Sequence, residues 1–105
     1  MSDSLPLLDL RPDHWAVVRK ILLKHVPGRE VVAFGSRATG GAKKYSDLDL
    51  AILGDEPLPL DTIACISEGF GESDLPFKVD VVDWARADEA FRAIIRRDAL
   101  EVLAA

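Results

Sequence analysis

Three aspartates occupy strand-like positions where a buried strand would normally carry valine, and they are the residues of this chain best suited to chemistry. Asp47 and Asp49 alternate with leucine in the run 47–53, which predicts a strand with both carboxylates on one face, roughly 7 Å apart. Asp80 lies between two valines in a later alternating run, 77–82. If these strands are neighbours and their faces match, the three carboxylates converge.

Convergent carboxylates predict a cation site. Two like charges about 4 Å apart repel by about 4 kcal/mol at an effective dielectric constant of about 20. Divalent cations turn this repulsion into coordination, and hard oxygen ligands suit Mg²⁺ or Mn²⁺. Enzymes that catalyse in-line attack on phosphorus commonly use two such ions. The alternative is that Asp47 and Asp49 form a solvated face over a leucine core, while Asp80 is an edge charge that discourages aggregation.

The second feature with chemical potential is the pair Gly35-Ser36, which directly follows the short apolar run 31–34. Glycine lets a ligand approach the backbone, and a short helix starting at Ser36 would offer free amides and a hydroxyl to a phosphate. The alternative is an ordinary turn that ends the strand, with Ser36 as an N-cap. The chain has no Walker-type motif, so this would be a different kind of phosphate site.

The elements that position these residues follow from hydrophobic periodicity and from helix-breaking residues. Apolar residues at spacings of three and four predict a helix from Pro12 to the Pro27-Gly28 pair. The other expected elements are strands over 31–34, 47–53 and 77–82, a loop over 35–46, a helix from Leu60 to near Gly69, and a helix over 86–103 with a break near Asp98. This order predicts an α/β fold in which a small mixed β-sheet is flanked by helices.

Composition restricts the class of protein. The 105 residues, of which 49% are hydrophobic, predict a single domain over 1–105 with 1–11 as a loose lead-in. The net charge of −5 makes nucleic acid an unfavourable direct partner, because its phosphates would be repelled. The sequence contains neither a signal-peptide pattern nor a run of about 18 apolar residues, so we expect a cytoplasmic protein without membrane contact.

The joint motif resembles a known family. Gly35-Ser36, followed after ten residues by an Asp-Leu-Asp-Leu run and then by Asp80, is similar to the nucleotidyltransferase superfamily that includes DNA polymerase β and the aminoglycoside nucleotidyltransferases. The flanking residues, Phe34 to Ala38 and Ser46 to Leu50, are closer still to the minimal nucleotidyltransferases of bacteria and archaea. The resemblance covers roughly residues 14–103, and Thr39 stands where many relatives carry a second arginine.

The resemblance implies roles for six residues, three catalytic and metal-binding acids and three nucleotide-binding residues: Asp47, Asp49 and Asp80, and Gly35, Ser36 and Arg37. The first two acids would hold two Mg²⁺ ions, with Mn²⁺ as the alternative. The third would ligate the catalytic ion and help to deprotonate an attacking hydroxyl. The glycine and serine would hold the β- and γ-phosphates of ATP, with the arginine as a weaker helper. Catalysis would then rest mainly on positioning and electrostatics.

The resemblance also implies an acceptor. Larger relatives carry an added domain for their substrate, whereas a single helical segment is expected after the sheet here, so we expect the acceptor to dock from outside as another protein. Minimal nucleotidyltransferases are typically antitoxins whose partner toxin is a HEPN-domain RNase. The implied activity is transfer of AMP from ATP to a toxin tyrosine. Two alternatives stay open, a non-catalytic antitoxin that acts by binding and a small-molecule nucleotidyltransferase of the aminoglycoside type.

The apolar content of the chain ends predicts a hetero-oligomer. The C-terminal segment carries more apolar residues than a three-stranded sheet can easily cover, namely Phe91, Ile94, Ile95, Leu100, Val102 and Leu103. The lead-in adds four leucines, Leu5, Leu7, Leu8 and Leu10. Because exposed apolar patches usually mark interfaces, we expect a stable complex with the toxin through a helical surface away from the three carboxylates.

Overall fold

The computed structural model describes residues 10–39 and 46–104 and shows a mixed four-stranded sheet flanked by helices. The helices are α1 (Pro12–His25), α2 (Ser36–Thr39), α3 (Leu60–Gly71) and α4 (Glu89–Asp98), with a 3₁₀ turn at Trp84–Arg86. The strands are β1 (Val31–Phe34), β2 (Leu48–Ile52), β3 (Val79–Asp83) and β4 (Leu100–Leu103). Their order in the sheet is β3-β2-β1-β4; β1 runs antiparallel to both its neighbours, and β2 runs parallel to β3. The predicted α/β class with a mixed sheet is confirmed.

Helix α1 forms where its sequence predicts. Pro12 lies in the first turn, where its missing amide donor costs nothing, and Asp13 lies near the positive end of the helix dipole. The apolar stripe buries Val18 and Leu22 completely. The helix ends at His25, just before the Pro27-Gly28 turn. None of the helices within 10–39 and 46–104 combines the length and the apolar character needed to cross a bilayer.

The sheet has a helix layer on each face, and this determines where each strand side chain lies. One face packs Leu48 and Leu50 of β2 against α1 and α3. The opposite face packs Phe34 and Ala51 against Ile95 of α4. Because strand side chains alternate between faces, Asp49 lies on the α4 face of the sheet.

The prediction for the C-terminal segment is wrong in part, because residues 100–103 form a strand and not the end of a helix. Helix α4 begins at Glu89, where the Asp88 carboxylate caps it by accepting the Phe91 amide at 2.8 Å, and ends at Asp98. Strand β4 then pairs antiparallel with the free edge of β1. The run Leu-Glu-Val-Leu suits either a helix or a strand in isolation, and the unpaired backbone edge of β1 decides between them.

The fourth strand also removes most of the apolar excess expected at this end. Ile95, Val102 and Leu103 are buried in the protein's own core, and Leu100 packs partly buried against it. Among the C-terminal apolar residues, Ile94 stays exposed at 42%. The apolar-excess argument for an interface therefore fails for this segment, and the lead-in leucines Leu5, Leu7 and Leu8 lie outside the described residues.

Two smaller differences concern helix boundaries. Helix α3 continues through Gly69 to Gly71, because Ile66 and Phe70 on its inner face are buried against the sheet. Part of the predicted loop over 35–46 is the short helix α2. Tertiary packing outweighs the modest cost of glycine inside α3.

Candidate functional site

The candidate site lies at the end of the sheet where β1 finishes and where β2 and β3 begin. Asp49 stands opposite Phe34 in the antiparallel β1–β2 pair and next to Asp80 in the parallel β2–β3 pair. Asp49 and Asp80 therefore lie side by side on the α4 face of the sheet, because residues paired in register point the same way. The α4 helix covers this face at Ala51 and Phe34.

Asp47 lies one residue before β2 and completes the group of acids. Its charge acts on Asp49 across the two-residue spacing, and its own side chain is exposed. Burial raises the pKa of Asp49 above its ordinary value, and the neighbouring charges of Asp80 and Asp47 raise it further. The three carboxylates therefore share one electrostatic environment, and ionising all three costs free energy.

A lysine of the described residues lies close to this group. Lys78 Nζ is 3.9 Å from Asp80 Oδ1, with side-chain exposures of 74% and 45%. An ion pair this exposed is screened by solvent and contributes little. The acids therefore keep most of their capacity to bind a cation from solution.

Gly35 is required in the turn beside these acids. Its φ is +81°, a conformation that other residues rarely adopt, and a Cβ atom at this position would lie 2.5 Å from Asp49 Oδ2. The Gly35 carbonyl accepts the amides of Ala38 and Thr39 at 3.0 and 3.1 Å, which begins α2. The absence of a side chain at Gly35 is what lets the turn lie against the Asp49 carboxylate.

The Gly35 amide has a partner that sequence reasoning missed. It acts on the carboxylate of Asp98, the last residue of α4, and lowers the pKa of that group. The Arg97 guanidinium, 3.0 Å from Asp98, and this amide hold the pKa of Asp98 below its ordinary value. No local pattern could have shown this contact, because it joins the two halves of the chain. The predicted role of Gly35 toward phosphate stays a prediction.

Arg37, for which the resemblance implies a weaker helper in nucleotide binding, is the second residue of α2. Its side chain is buried, and its Nε donates to the Ser46 carbonyl at 2.9 Å. The guanidinium also lies over the Phe77 ring, 4.2 Å from the ring centre. The guanidinium is thus engaged with protein groups on the side of the site that leads into Asp47. Ser36, the other predicted nucleotide ligand, is half-buried at the start of α2.

A groove borders the site along the outer edge of β3. It has a volume of about 460 Å³ and runs between the end of α3 and the edge strand. Phe70 and Phe77 supply apolar surface to its lining, and Lys78 and Asp80 supply charge. Asp80 therefore stands in the edge strand that borders this groove, next to a space that is large enough for part of a substrate.

The carboxylate group fits a hard divalent cation by the chemistry of its donors. Asp47, Asp49 and Asp80 offer only anionic oxygen atoms, and their mutual repulsion is the cost that such an ion would remove. Within the described residues, no three acidic, histidine or cysteine side chains are already gathered at ligating distances around one point. An ion would therefore draw the carboxylates together rather than enter a finished cage.

The fold and this arrangement define a nucleotidyltransferase. The chain belongs to the nucleotidyltransferase domain family, whose model matches residues 16–103, so the predicted family and enzyme class are confirmed. It is 51% identical over 94 residues to a Haemophilus influenzae protein named "Probable protein adenylyltransferase MntA", a match that covers 90% of this chain and 82% of the relative.

Solved structures share the fold at lower identity. A chain from a toxin–antitoxin complex with AMP-PNP superposes with a TM-score of 0.73 at 22% identity, covering 87% of this chain and 73% of that one. A chain from a complex of tri-AMPylated Shewanella oneidensis HEPN toxin with its MNT antitoxin gives a TM-score of 0.67 at 20% identity, covering 87% and 70%. At these identities the likeness shows a common fold.

Proposed function

We propose that this chain is a protein adenylyltransferase that serves as an antitoxin by transferring AMP from ATP to a tyrosine hydroxyl of a HEPN-type RNase toxin. The observation that carries the proposal is the placement of Asp47, Asp49 and Asp80 at one end of the sheet, beside the Gly35-Ser36 turn. The name of the Haemophilus influenzae relative and the AMPylated toxin in a complex of the same fold support the choice of reaction and of acceptor.

Each residue of the site has a defined part in this reaction. Asp47 and Asp49 would hold two divalent ions, Mg²⁺ or Mn²⁺, and Asp80 would complete the ligands of one of them. When bound, these ions neutralise the charge of the triphosphate and of the leaving pyrophosphate. The Ser36 hydroxyl and the backbone of the Gly35-Ser36 turn would orient the β- and γ-phosphates.

The transfer itself is an in-line displacement. The acceptor hydroxyl oxygen forms a bond to the α-phosphorus of ATP, while the bond from that phosphorus to the bridging oxygen of the β-phosphate breaks. Pyrophosphate leaves with that electron pair, and the hydroxyl proton passes to the Asp80 carboxylate. Asp80 suits this part because it borders the open groove, whereas Asp49 is more buried against the turn.

The test is AMP transfer by the double variant Asp47→Asn/Asp49→Asn. The partner toxin is incubated with ATP and Mg²⁺ and weighed by intact-mass spectrometry. We expect wild type to add AMP and the double variant to lose at least about 10²–10³-fold in rate, because the negative oxygen donors are gone. The matched control is Asp55→Asn/Asp61→Asn, which removes the same charge from two exposed acids outside the site and should transfer normally.

The outcomes separate the proposal from its alternatives. Transfer retained by Asp47→Asn/Asp49→Asn would overturn the assignment of these acids. A wild-type protein that inhibits the toxin without adding mass to it would show that neutralisation occurs by binding alone. Peptide mapping of the modified toxin would then show whether a tyrosine carries the AMP.

A further inference from the structure

We propose that Arg37 is a positioning residue that fixes Asp47 for cation binding and does not contact the nucleotide. The inference rests on the proposed function, since it assumes that Asp47 is a metal ligand. It starts from the position of Asp47, which precedes β2 and therefore lacks the strand pairing that holds Asp49. Something other than the sheet ladder must determine where the Asp47 carboxylate lies.

The backbone on each side of Asp47 is anchored. On the C-terminal side, the Leu48 amide donates to the Lys78 carbonyl at 2.9 Å, which joins β2 to the start of β3. On the N-terminal side, the Ser46 carbonyl accepts the Arg37 Nε hydrogen at 2.9 Å. Asp47 is thus held between two hydrogen bonds. The one on its N-terminal side comes from the side chain of Arg37, directly after the Gly35-Ser36 turn.

The contact of Arg37 with Phe77 connects these hydrogen bonds to the segment before β3. Phe77 is buried in the core and stands directly before Lys78, whose carbonyl holds Leu48. The planar guanidinium can lie flat on the ring at 4.2 Å while its edge reaches the Ser46 carbonyl. One side chain therefore links α2, the residue before Asp47 and the segment that leads into β3.

A lysine cannot reproduce this arrangement. Its ammonium is a point donor on a flexible stem, and it gives neither the flat stacking surface nor the fixed direction of the Nε hydrogen. Residues that orient metal ligands typically change metal affinity or activity by about 10–100-fold when they are replaced. Arg37→Lys is therefore a conservative change in charge that removes the proposed positioning.

The matched control is Arg29→Lys. The Arg29 guanidinium also bonds to backbone carbonyls, those of Leu53 at 2.7 Å and Glu56 at 3.2 Å, but these lie at the opposite end of β2. Both variants should therefore lower the thermal midpoint to a similar extent. A role confined to stability would leave the two proteins alike in every other measurement.

Three measurements on the intact chain separate positioning from the alternatives. Mn²⁺ binding, followed by electron paramagnetic resonance of the free ion without nucleotide, should weaken by about tenfold or more in Arg37→Lys and stay unchanged in Arg29→Lys. In AMP transfer, kcat should fall in Arg37→Lys with KM for ATP nearly constant. Hydrogen exchange at the Leu48 amide should accelerate in Arg37→Lys alone, with or without metal.

Each other outcome overturns the inference. A raised KM for ATP with unchanged Mn²⁺ binding would make Arg37 a nucleotide ligand, and unchanged Mn²⁺ binding with unchanged kcat would leave it a structural residue. If Arg37→Lys does not fold, Phe77→Leu keeps an apolar side chain in the core, removes the ring under the Arg37 guanidinium and should weaken Mn²⁺ binding in the same direction. Wild-type protein that neither binds Mn²⁺ nor transfers AMP would instead refute the proposed function, which the same series reveals.

Discussion

The two ends of β3 each carry an aspartate, and the surroundings of the two differ completely. Asp80, near the start, lies beside Asp49 and has an exposed lysine amine at 3.9 Å. Asp83, at the end, is 4% exposed in its side chain and accepts the Leu58 amide at 2.8 Å and the Ala85 amide at 3.2 Å. The Arg86 guanidinium also forms an ion pair with the Asp83 carboxylate, at a distance of 3.3 Å.

The difference shows how one strand separates stability from function. Asp83 is satisfied by the protein itself, and through Leu58 it attaches the linker before α3 to the sheet. Arg86 reinforces this by donating to the Leu58 carbonyl at 3.1 Å. At the other end the protein brings like charges together without compensating them, which costs stability and favours a cation from outside. An acid with complete internal partners is structural, and an acid among like charges is a candidate for binding.

The largest expected effect is on AMP transfer. Asp80→Asn should lower the rate by about 10²–10³-fold, because it removes a negative oxygen that the proposed reaction uses. Asp83→Asn changes charge and volume identically three residues away, and it should keep transfer within about threefold when assayed well below its thermal midpoint. Steady-state assays of both variants decide the matter. Equal losses in the two would show that the comparison reports only strand integrity.

The next largest effect is on the free energy of unfolding, and here the variant of Asp83 should lose more than the variant of Asp80. Asp83→Ala should lower the free energy of unfolding by about 3 kcal/mol, because it leaves the buried Leu58 amide without its acceptor and removes the carboxylate from the Arg86 ion pair. Asp80→Ala should leave the metal-free protein as stable as wild type or more stable, since it relieves repulsion. Urea unfolding of both variants without metal gives the comparison. A larger loss for Asp80→Ala would contradict the description of its surroundings.

Much of this arrangement could be predicted from the sequence, and the misses have physical reasons. The alternation around Asp49 and Asp80 predicted strands with acids on one face, because strand periodicity is a local property. The role of Asp83 could not be predicted, since its partner Leu58 lies in a linker without periodic pattern. The burial of Arg37 could not be predicted either, because its contact with Phe77 joins residues that are distant in the sequence.

The missed strand shows a different limit. Residues 100–103 pair with β1, and the prediction of a helix there failed because four mostly apolar residues match either period. The available edge of β1 is a property of the whole sheet. The prediction of the candidate site did not depend on this strand, because β4 lies on the other side of β1 from β2 and β3.

Two glycines with left-handed backbone conformations differ in what surrounds them, and replacing each with alanine should have different effects on AMP transfer. Gly28, with φ +84°, has no atom within 4 Å of an added Cβ, whereas Gly35, with φ +81°, would direct its Cβ onto the Asp49 carboxylate. Gly28→Ala should cost about 1 kcal/mol of unfolding free energy from backbone strain alone and leave transfer intact. Gly35→Ala should cost at least as much and abolish most transfer, because Asp49 must move. Transfer retained in Gly35→Ala would show that the contact with Asp49 does not matter to the reaction.

The smallest expected effect is a pH dependence in the metal-free protein. Burial, with the charges of Asp80 and Asp47, raises the pKa of Asp49 above its ordinary value of 3.8. Between 3.8 and the raised value, the native state holds a proton that the unfolded chain has released, so stability falls as pH rises through this interval. Asp49→Asn lacks this proton, and its stability advantage over wild type should therefore grow across the interval and stay constant above it. Asp98, whose pKa the Arg97 hydrogen bond lowers, acts in the opposite direction but is present in both proteins and cancels. An advantage that shrinks with rising pH in urea unfolding would mean that ionised Asp49 stabilises the fold, and the contrast between the two ends of β3 would then be lost.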